Sequence, residues 1–190
     1  MEIIDSHAHI YPEKIAEKAT KAIGDFYDIE MEMSAGTTTR LIEDGKEIGV
    51  SRFVVHSVAT TAHQVRSINE FIKREIDLHK EFIGFMTLHQ DLTEEEIKNE
   101  VDWGIENGFK GIKLHPDFQK FYIDGENAQK FYEIVGERLP FLFHVGDDRF
   151  DFSEPERLIK MAKKYPKCKF ISAHFGGYRC WHKADRKSVG

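Results

Sequence analysis

Apolar runs recurring about every 30 residues, helical spacing between them, and histidines gathered at the ends of the runs predict an α/β fold. Its expected form is a TIM-type (β/α) barrel, incomplete, with about six of the eight βα units present. The runs are EIIDSH (2–7), RFVVHS (52–57), FIGFMTLH (82–89), KGIKLH (110–115), PFLFHV (140–145) and KFISAH (169–174). One central residue from each of the last five (Val54, Gly84, Ile112, Leu142 and Ile171) gives steps of 30, 28, 30 and 29 residues. A βα unit takes roughly 30 residues, so each run reads as a strand followed by a helix. Strict alternation of buried apolar strands with helices implies a parallel sheet.

The elements follow in order. After the first strand the interval from Ile10 to Ser51 is long, and predicts a helix at 12–23, a polar turn around SAGTTT and a helix at 39–48. Residues 64–80 place Val65, Ile68, Phe71, Ile72, Ile76 and Leu78 mostly at helical spacing. Thr93 and Glu96 form a capping-box pattern, in which hydroxyl and carboxylate each accept from the other residue's backbone N–H. Ile97, Val101 and Ile105 then lie on one helix face, and Gly108 ends that helix. Helices are expected again at 126–138 and 154–165. Ser153 and Glu156 suggest a second capping box, and Pro155 fits the first turn, where its missing N–H costs little. One domain is expected over residues 1–178, with an atypical tail at 179–190 that carries no apolar face.

With 190 residues, 41% of them hydrophobic, the chain suits one domain with a sizeable core. The net charge of -6, without a Lys/Arg cluster, repels phosphate backbones, so no nucleic-acid partner is expected. No apolar run reaches the ~18 residues of a membrane span, and Glu2 and Asp5 stand where a signal peptide would be basic. Cys168 and Cys180 form no CxxC and read as free thiols, which fits a reducing cytoplasm. The expected location is cytoplasmic.

Ten histidines are present, and seven fall at the C-terminal ends of the apolar runs: His7, His9, His56, His89, His115, His144 and His174. In a parallel barrel all strand C-termini open on one face, where chemistry is done. An open doubly wound sheet, the competing architecture, would string the same residues along a line. Residues i and i+2 of a strand share a face, so Asp5, His7 and His9 point the same way. Two neutral imidazoles so placed suit one divalent cation, each bond being ~2.0–2.1 Å for zinc. His56 and His89 read as hydrogen-bonded core or loop residues, and His63, His79 and His182 as surface residues.

The pieces IDSHAHIYP, FKGIKLHPDFQ, LPFLFHVGDD and FISAHFGG, in that order, resemble the amidohydrolase superfamily. The resemblance is to its amidohydrolase-related branch, which includes relatives of aminocarboxymuconate-semialdehyde decarboxylase, and covers the chain to about Tyr178. It implies that His7, His9 and His144 bind one divalent metal ion, expected to be zinc, and that His174 orients or deprotonates the attacking water. His115 is expected to touch substrate or to serve as an auxiliary metal contact. Lys113, on the same face as His115, is either a carboxylated bridging lysine or a snorkelling side chain. Asp147 could reach substrate or support a ligand, and Arg149 could hold a substrate carboxylate.

The implied activity is metal-dependent hydrolysis of a C–N or C–O bond in a small molecule. Two alternatives stay open: non-oxidative decarboxylation of an aromatic or unsaturated acid, and metal binding without catalysis. The last is raised because the family carries a metal-binding Asp at strand eight, and no residue here matches it by position. The sequence is accordingly read as C-terminally truncated, with an artefactual tail. A sheet ending at strand six would be marginally stable or would pair with a second copy, so a homo-oligomer is compatible with it.

Overall fold

The computed structural model describes residues 2–32 and 35–184. These form two compact units, Met1–Ser57 with Glu70–Phe85, and Val58–Asn69 with Met86–Gly190. The six expected strands and the expected helices are all present.

The first unit carries β1 (Ile3–His9), α1 (Glu13–Tyr27), α2 (Thr38–Glu47) and β2 (Val50–His56). The helix α3 (Val65–Leu78) and the strand β3 (Phe82–Thr87) run from one unit into the other. β1 and β2 are parallel, with Asp5 opposite Phe53, Ala8 opposite Val55 and His9 opposite His56. Three steps along β1 answer two along β2 between the first two of these pairs, so β1 carries a bulge at that point. β2 and β3 are parallel in the register Phe53–Phe82, Val54–Ile83 and Val55–Gly84. The start of α2 is set by Thr37, whose hydroxyl accepts from Arg40 N at 3.3 Å. Ser34 of the predicted SAGTTT turn lies outside the described residues.

The second unit carries α4 (Glu94–Glu106), β4 (Gly111–Leu114), a short α5 (Pro116–Gln119), α6 (Glu126–Val135), β5 (Phe141–Phe143), α7 (Pro155–Lys164) and β6 (Phe170–Ser172). β4, β5 and β6 are parallel, with Ile112 opposite Phe141 and Leu142 opposite Ile171. Every residue of β4 and β5 is buried, as strands covered on both faces must be. Ile97 and Val101 of α4, Phe131 of α6, and Phe141 and Phe143 of β5 are inaccessible to solvent. Burial of each such side chain contributes roughly 1.5–3 kcal/mol. Tyr132 keeps its hydroxyl satisfied in this core by donating to Ile123 O at 2.7 Å.

The Thr93–Glu96 capping box forms as expected, with Thr93 N donating to Glu96 Oε2 at 2.7 Å and Glu96 N to Thr93 Oγ1 at 3.2 Å. The second expected box does not. α7 begins one residue later, with Glu154 as its N-cap and no side-chain cap. Ser153 is instead fully buried, and its hydroxyl donates to Asp117 Oδ2 at 2.7 Å. Its oxygen accepts from Gly146 N at 3.2 Å instead of from an N–H of the helix.

Candidate active site

Two clusters of ionisable side chains stand at strand ends, one in each unit. In the first unit the register of β1 and β2 sets the geometry. His9 is the lateral partner of His56, and parallel partners project from the same sheet face. His7, two residues back and inside the bulge, turns its ring toward both. The three rings gather closely: His7 to His9 at 5.3 Å between centroids, His7 to His56 at 4.8 Å and His9 to His56 at 4.4 Å. Asp5 does not join them as a free ligand, because its Oδ1 accepts from His7 N at 2.9 Å.

His7 Nε2 and His9 Nε2 lie 3.3 Å apart. Two nitrogens bonded at ~2.05 Å to one tetrahedral cation would stand ~3.3 Å apart, so the donor pair fits a metal ion. Tyr11 borders the pair, its hydroxyl 3.4 Å from His9 Nδ1. Burial pushes that phenol well above its ordinary pKa, so it stays a neutral hydrogen-bonding group.

The second cluster gathers around His144, one residue past β5. Its ring stacks on that of His115 at 4.0 Å and 9°. The other face of His115 stacks on Phe118 at 3.8 Å. His115 is the N-cap of α5, its Nδ1 accepting from Phe118 N at 3.3 Å. Gln119 fixes this turn: its Oε1 accepts from His115 N at 2.9 Å, while its Nε2 donates to Ala59 O and Leu88 O. His144 Nδ1 lies 2.9 Å from His174 Nε2, and His144 Nε2 lies 3.6 Å from Asp117 Oδ2. One ligand atom each from His115, Asp117 and His144 fall within 4.8 Å of one another, as do those of His7, His9 and His56.

The electrostatics of the second cluster follow from its dryness. Asp117 is buried, and burial, reinforced by the Asp147 charge, raises its carboxyl to about 6. Its Oδ1 has no hydrogen-bond partner among the described residues. Lys113 is fully buried, its Nζ also has no hydrogen-bond partner among the described residues, and burial lowers it to about 7. The snorkelling reading of Lys113 is therefore wrong: the amine never reaches solvent. Burial and then the Lys113 charge push His174 down to about 4, which keeps its imidazole neutral near pH 7. His174 also holds a left-handed backbone with φ 57°, a conformation that costs ~1–2 kcal/mol in a non-glycine residue. Such outliers concentrate at functional sites.

The structure sorts the expected site residues as follows. His7 pairs with His9 in the first unit. His115, His144 and His174 come together in the second, so the expected ligand set His7, His9 and His144 draws on both units. Asp147 is buried and closes on Arg149, whose Nε and NH2 donate to its two oxygens at 2.9 and 2.6 Å. Burial works to raise the Asp147 carboxyl, but the Arg149 hydrogen bonds outweigh it and hold the group low. His89 stays apart, its Nδ1 accepting from Asp91 N at 3.2 Å. Sequence reasoning missed two members. His56 was read as a core residue, and only strand register reveals it as the neighbour of His9. Asp117 drew no attention, although it follows His115 by two residues across a proline.

The amidohydrolase family model matches residues 4–189. Among solved structures, the chain resembles 5-carboxyvanillate decarboxylase from Novosphingobium aromaticivorans, crystallised with manganese and a nitrobenzoic acid, at a TM-score of 0.72 and 17% identity. That match covers 93% of this chain and 66% of the other, so the chain spans just under two thirds of that relative's length. It also resembles 4-oxalomesaconate hydratase from Rhodopseudomonas palustris, at a TM-score of 0.67 and 19% identity over 98% of this chain and 68% of that one. A third likeness is to 2,6-dihydroxybenzoate decarboxylase from Rhizobium, at a TM-score of 0.62 and 16% identity over 93% and 67%. No curated protein matches. The fold is that of the TIM-type (β/α) barrel, of which six parallel strands are present among the described residues.

Proposed function

This chain belongs to the amidohydrolase family, and on that premise we propose that it is a metal-dependent enzyme acting on a small molecule, with hydrolysis of a C–N or C–O bond as its reaction. The observation that carries the proposal is the 3.3 Å separation of His7 Nε2 and His9 Nε2, the span of two ligands on one cation. His7 and His9 would hold the ion, a zinc or other divalent metal. When bound, such an ion polarises an electrophilic carbon and makes water acidic enough to ionise near neutral pH.

The chain's own residues supply the rest. His174 is neutral near pH 7 and shares a hydrogen bond with His144, so it can take up a proton and return it. Its left-handed backbone fixes where the ring points. His115 holds the face of the His144 ring by stacking, which limits the rotation of that imidazole. Asp147 and Arg149, joined to each other, form a paired charge beside the same strand end. A substrate carboxylate would have to compete with Asp147 for the guanidinium, so Arg149 is a conditional rather than a ready-made carboxylate contact.

Non-oxidative decarboxylation of an aromatic acid is the second reading. It is favoured by the likeness to two decarboxylases at TM-scores of 0.72 and 0.62. Both reactions would use the same site, and they part at the product. The test is turnover by protein loaded with zinc or with manganese, on panels of lactones, amides and hydroxybenzoic acids. Acid release from a lactone or amide supports hydrolysis, and carbon dioxide release from a hydroxybenzoate supports the second reading. Metal bound at one equivalent without turnover on any panel would sink both, and leave metal binding without catalysis.

A further inference from the structure

We infer that His56 is a third imidazole ligand of the cation held by His7 and His9. The inference rests on the metal-binding reading above, and adds a residue that neither the HxH spacing nor the resemblance assigns.

The register of the sheet makes the case. In a parallel pair, lateral partners project from one face about 4.8 Å apart between strands. His9 and His56 are such partners, and His7, inside the bulge of β1, brings its ring to within 4.8 Å of His56 and 5.3 Å of His9. A triangle of imidazoles is therefore built into two adjacent strands, before any loop contributes. Its ring centroids are separated by 4.4, 4.8 and 5.3 Å, and one nitrogen from each ring falls within 4.8 Å of the other two. The His7–His9 edge already has the span of two ligands on one ion. The His56 nitrogen, within 4.8 Å of that pair, must close in to reach the ~3.3 Å span of ligands on one tetrahedral ion.

Burial supports the assignment. His56 is inaccessible to solvent, whereas His7 and His9 are half-buried. The backbone carbonyl of His56 accepts from Ile10 N at 3.1 Å, which fixes the strand end that carries the ring before an ion arrives. Pre-positioned donors lose little freedom on binding, and this favours affinity. Three neutral imidazoles also leave the full double charge on the cation. Such a set suits zinc, cobalt or nickel better than manganese, which prefers oxygen donors.

The competing reading is that His56 only packs against the metal-binding pair. Supporting partners of that kind typically cost ~10–100-fold in metal affinity when removed. The experiment uses the full chain, stripped with a chelator and titrated with Co2+ and Zn2+ against a chromophoric chelator. His56→Gln is expected to lose more than ~100-fold in affinity, beyond the supporting-partner range, and His56→Glu, which restores a donor atom, to recover part of it. A loss of ~100-fold or less for His56→Gln overturns the inference. Should the variants fail to fold by circular dichroism, the wild type decides. Loaded with spin-active cadmium and carrying nitrogen-labelled histidine, it should show metal–nitrogen coupling at His7, His9 and His56. Coupling at His7 and His9 without His56 overturns the inference and spares the reading beneath it. No coupling at His7 and His9 overturns both.

Discussion

His144 and His174 meet nitrogen to nitrogen, with Nδ1 of the first 2.9 Å from Nε2 of the second. One ring must carry the proton between them, so the tautomer of each depends on the other. The pair can hand a proton between two strand ends without a water in between. His174→Ala should lower turnover by ~10²–10⁴-fold, the usual contribution of a positioned acid or base. Metal content should be unchanged, since His174 is not among the proposed ligands. Steady-state rates and elemental analysis on the same sample check both halves.

Lys113 makes stability depend on pH in an unusual direction. Burial lowers its folded-state pKa from 10.5 to about 7. Between these values the unfolded chain holds a proton that the folded chain lacks, so stability rises as pH climbs from about 7 toward 10.5. Lys113→Met fills the same buried space without the amine. It should stabilise the protein by roughly 4 kcal/mol near pH 7, each pKa unit being worth ~1.4 kcal/mol. The gain should shrink toward zero by about pH 10.5. Urea melts of both proteins at the two pH values test this, and parallel curves would refute it.

Gly146 holds the turn after His144 by a close backbone approach. Its φ is +87°, and a Cβ there would stand 2.5 Å from Gly177 Cα. Around it, Tyr178 N donates to Val145 O at 2.7 Å and Arg179 N to Gly146 O at 2.8 Å. Gly146→Ala must therefore push two backbones apart, at a cost of ~2–5 kcal/mol. Gly108, at φ +86° with open space around it, is the control. Gly108→Ala meets only the left-handed penalty, ~1–2 kcal/mol. Comparable destabilisation of the two variants would argue against the clash.

Asn69 ties α3 to β3 and α4 within the second unit. Its amide accepts from Thr87 N at 2.8 Å and donates to Thr87 O at 3.0 Å and to Glu100 Oε1 at 2.8 Å. Glu100 in turn pairs with Arg66 at 2.8 Å. Asn69→Leu leaves several buried groups unpaired, each costing ~1–3 kcal/mol. A loss of about 3 kcal/mol or more is expected in chemical denaturation. A loss below about 1 kcal/mol would mean that the network reorganises.

What the sequence determined by itself is local and periodic. The 30-residue step of apolar runs located six strands, the 3.6-residue spacing located the helices between them, and Thr93 with Glu96 marked a helix start to the residue. The HxH spacing was also enough to pair His7 with His9, because i and i+2 share a face in any strand. What only the tertiary structure decided depends on which strands lie side by side and on what is dry. Register sets His56 beside His9, and it is invisible in a sequence because strand slippage by one residue would put the ring on the other face. Burial decides that Lys113 is sealed rather than snorkelling, and that Ser153 serves Asp117 rather than capping a helix. Both outcomes depend on which groups are shut away from water together, where polar contacts count for more than in solvent, and no residue carries its own dielectric in its name.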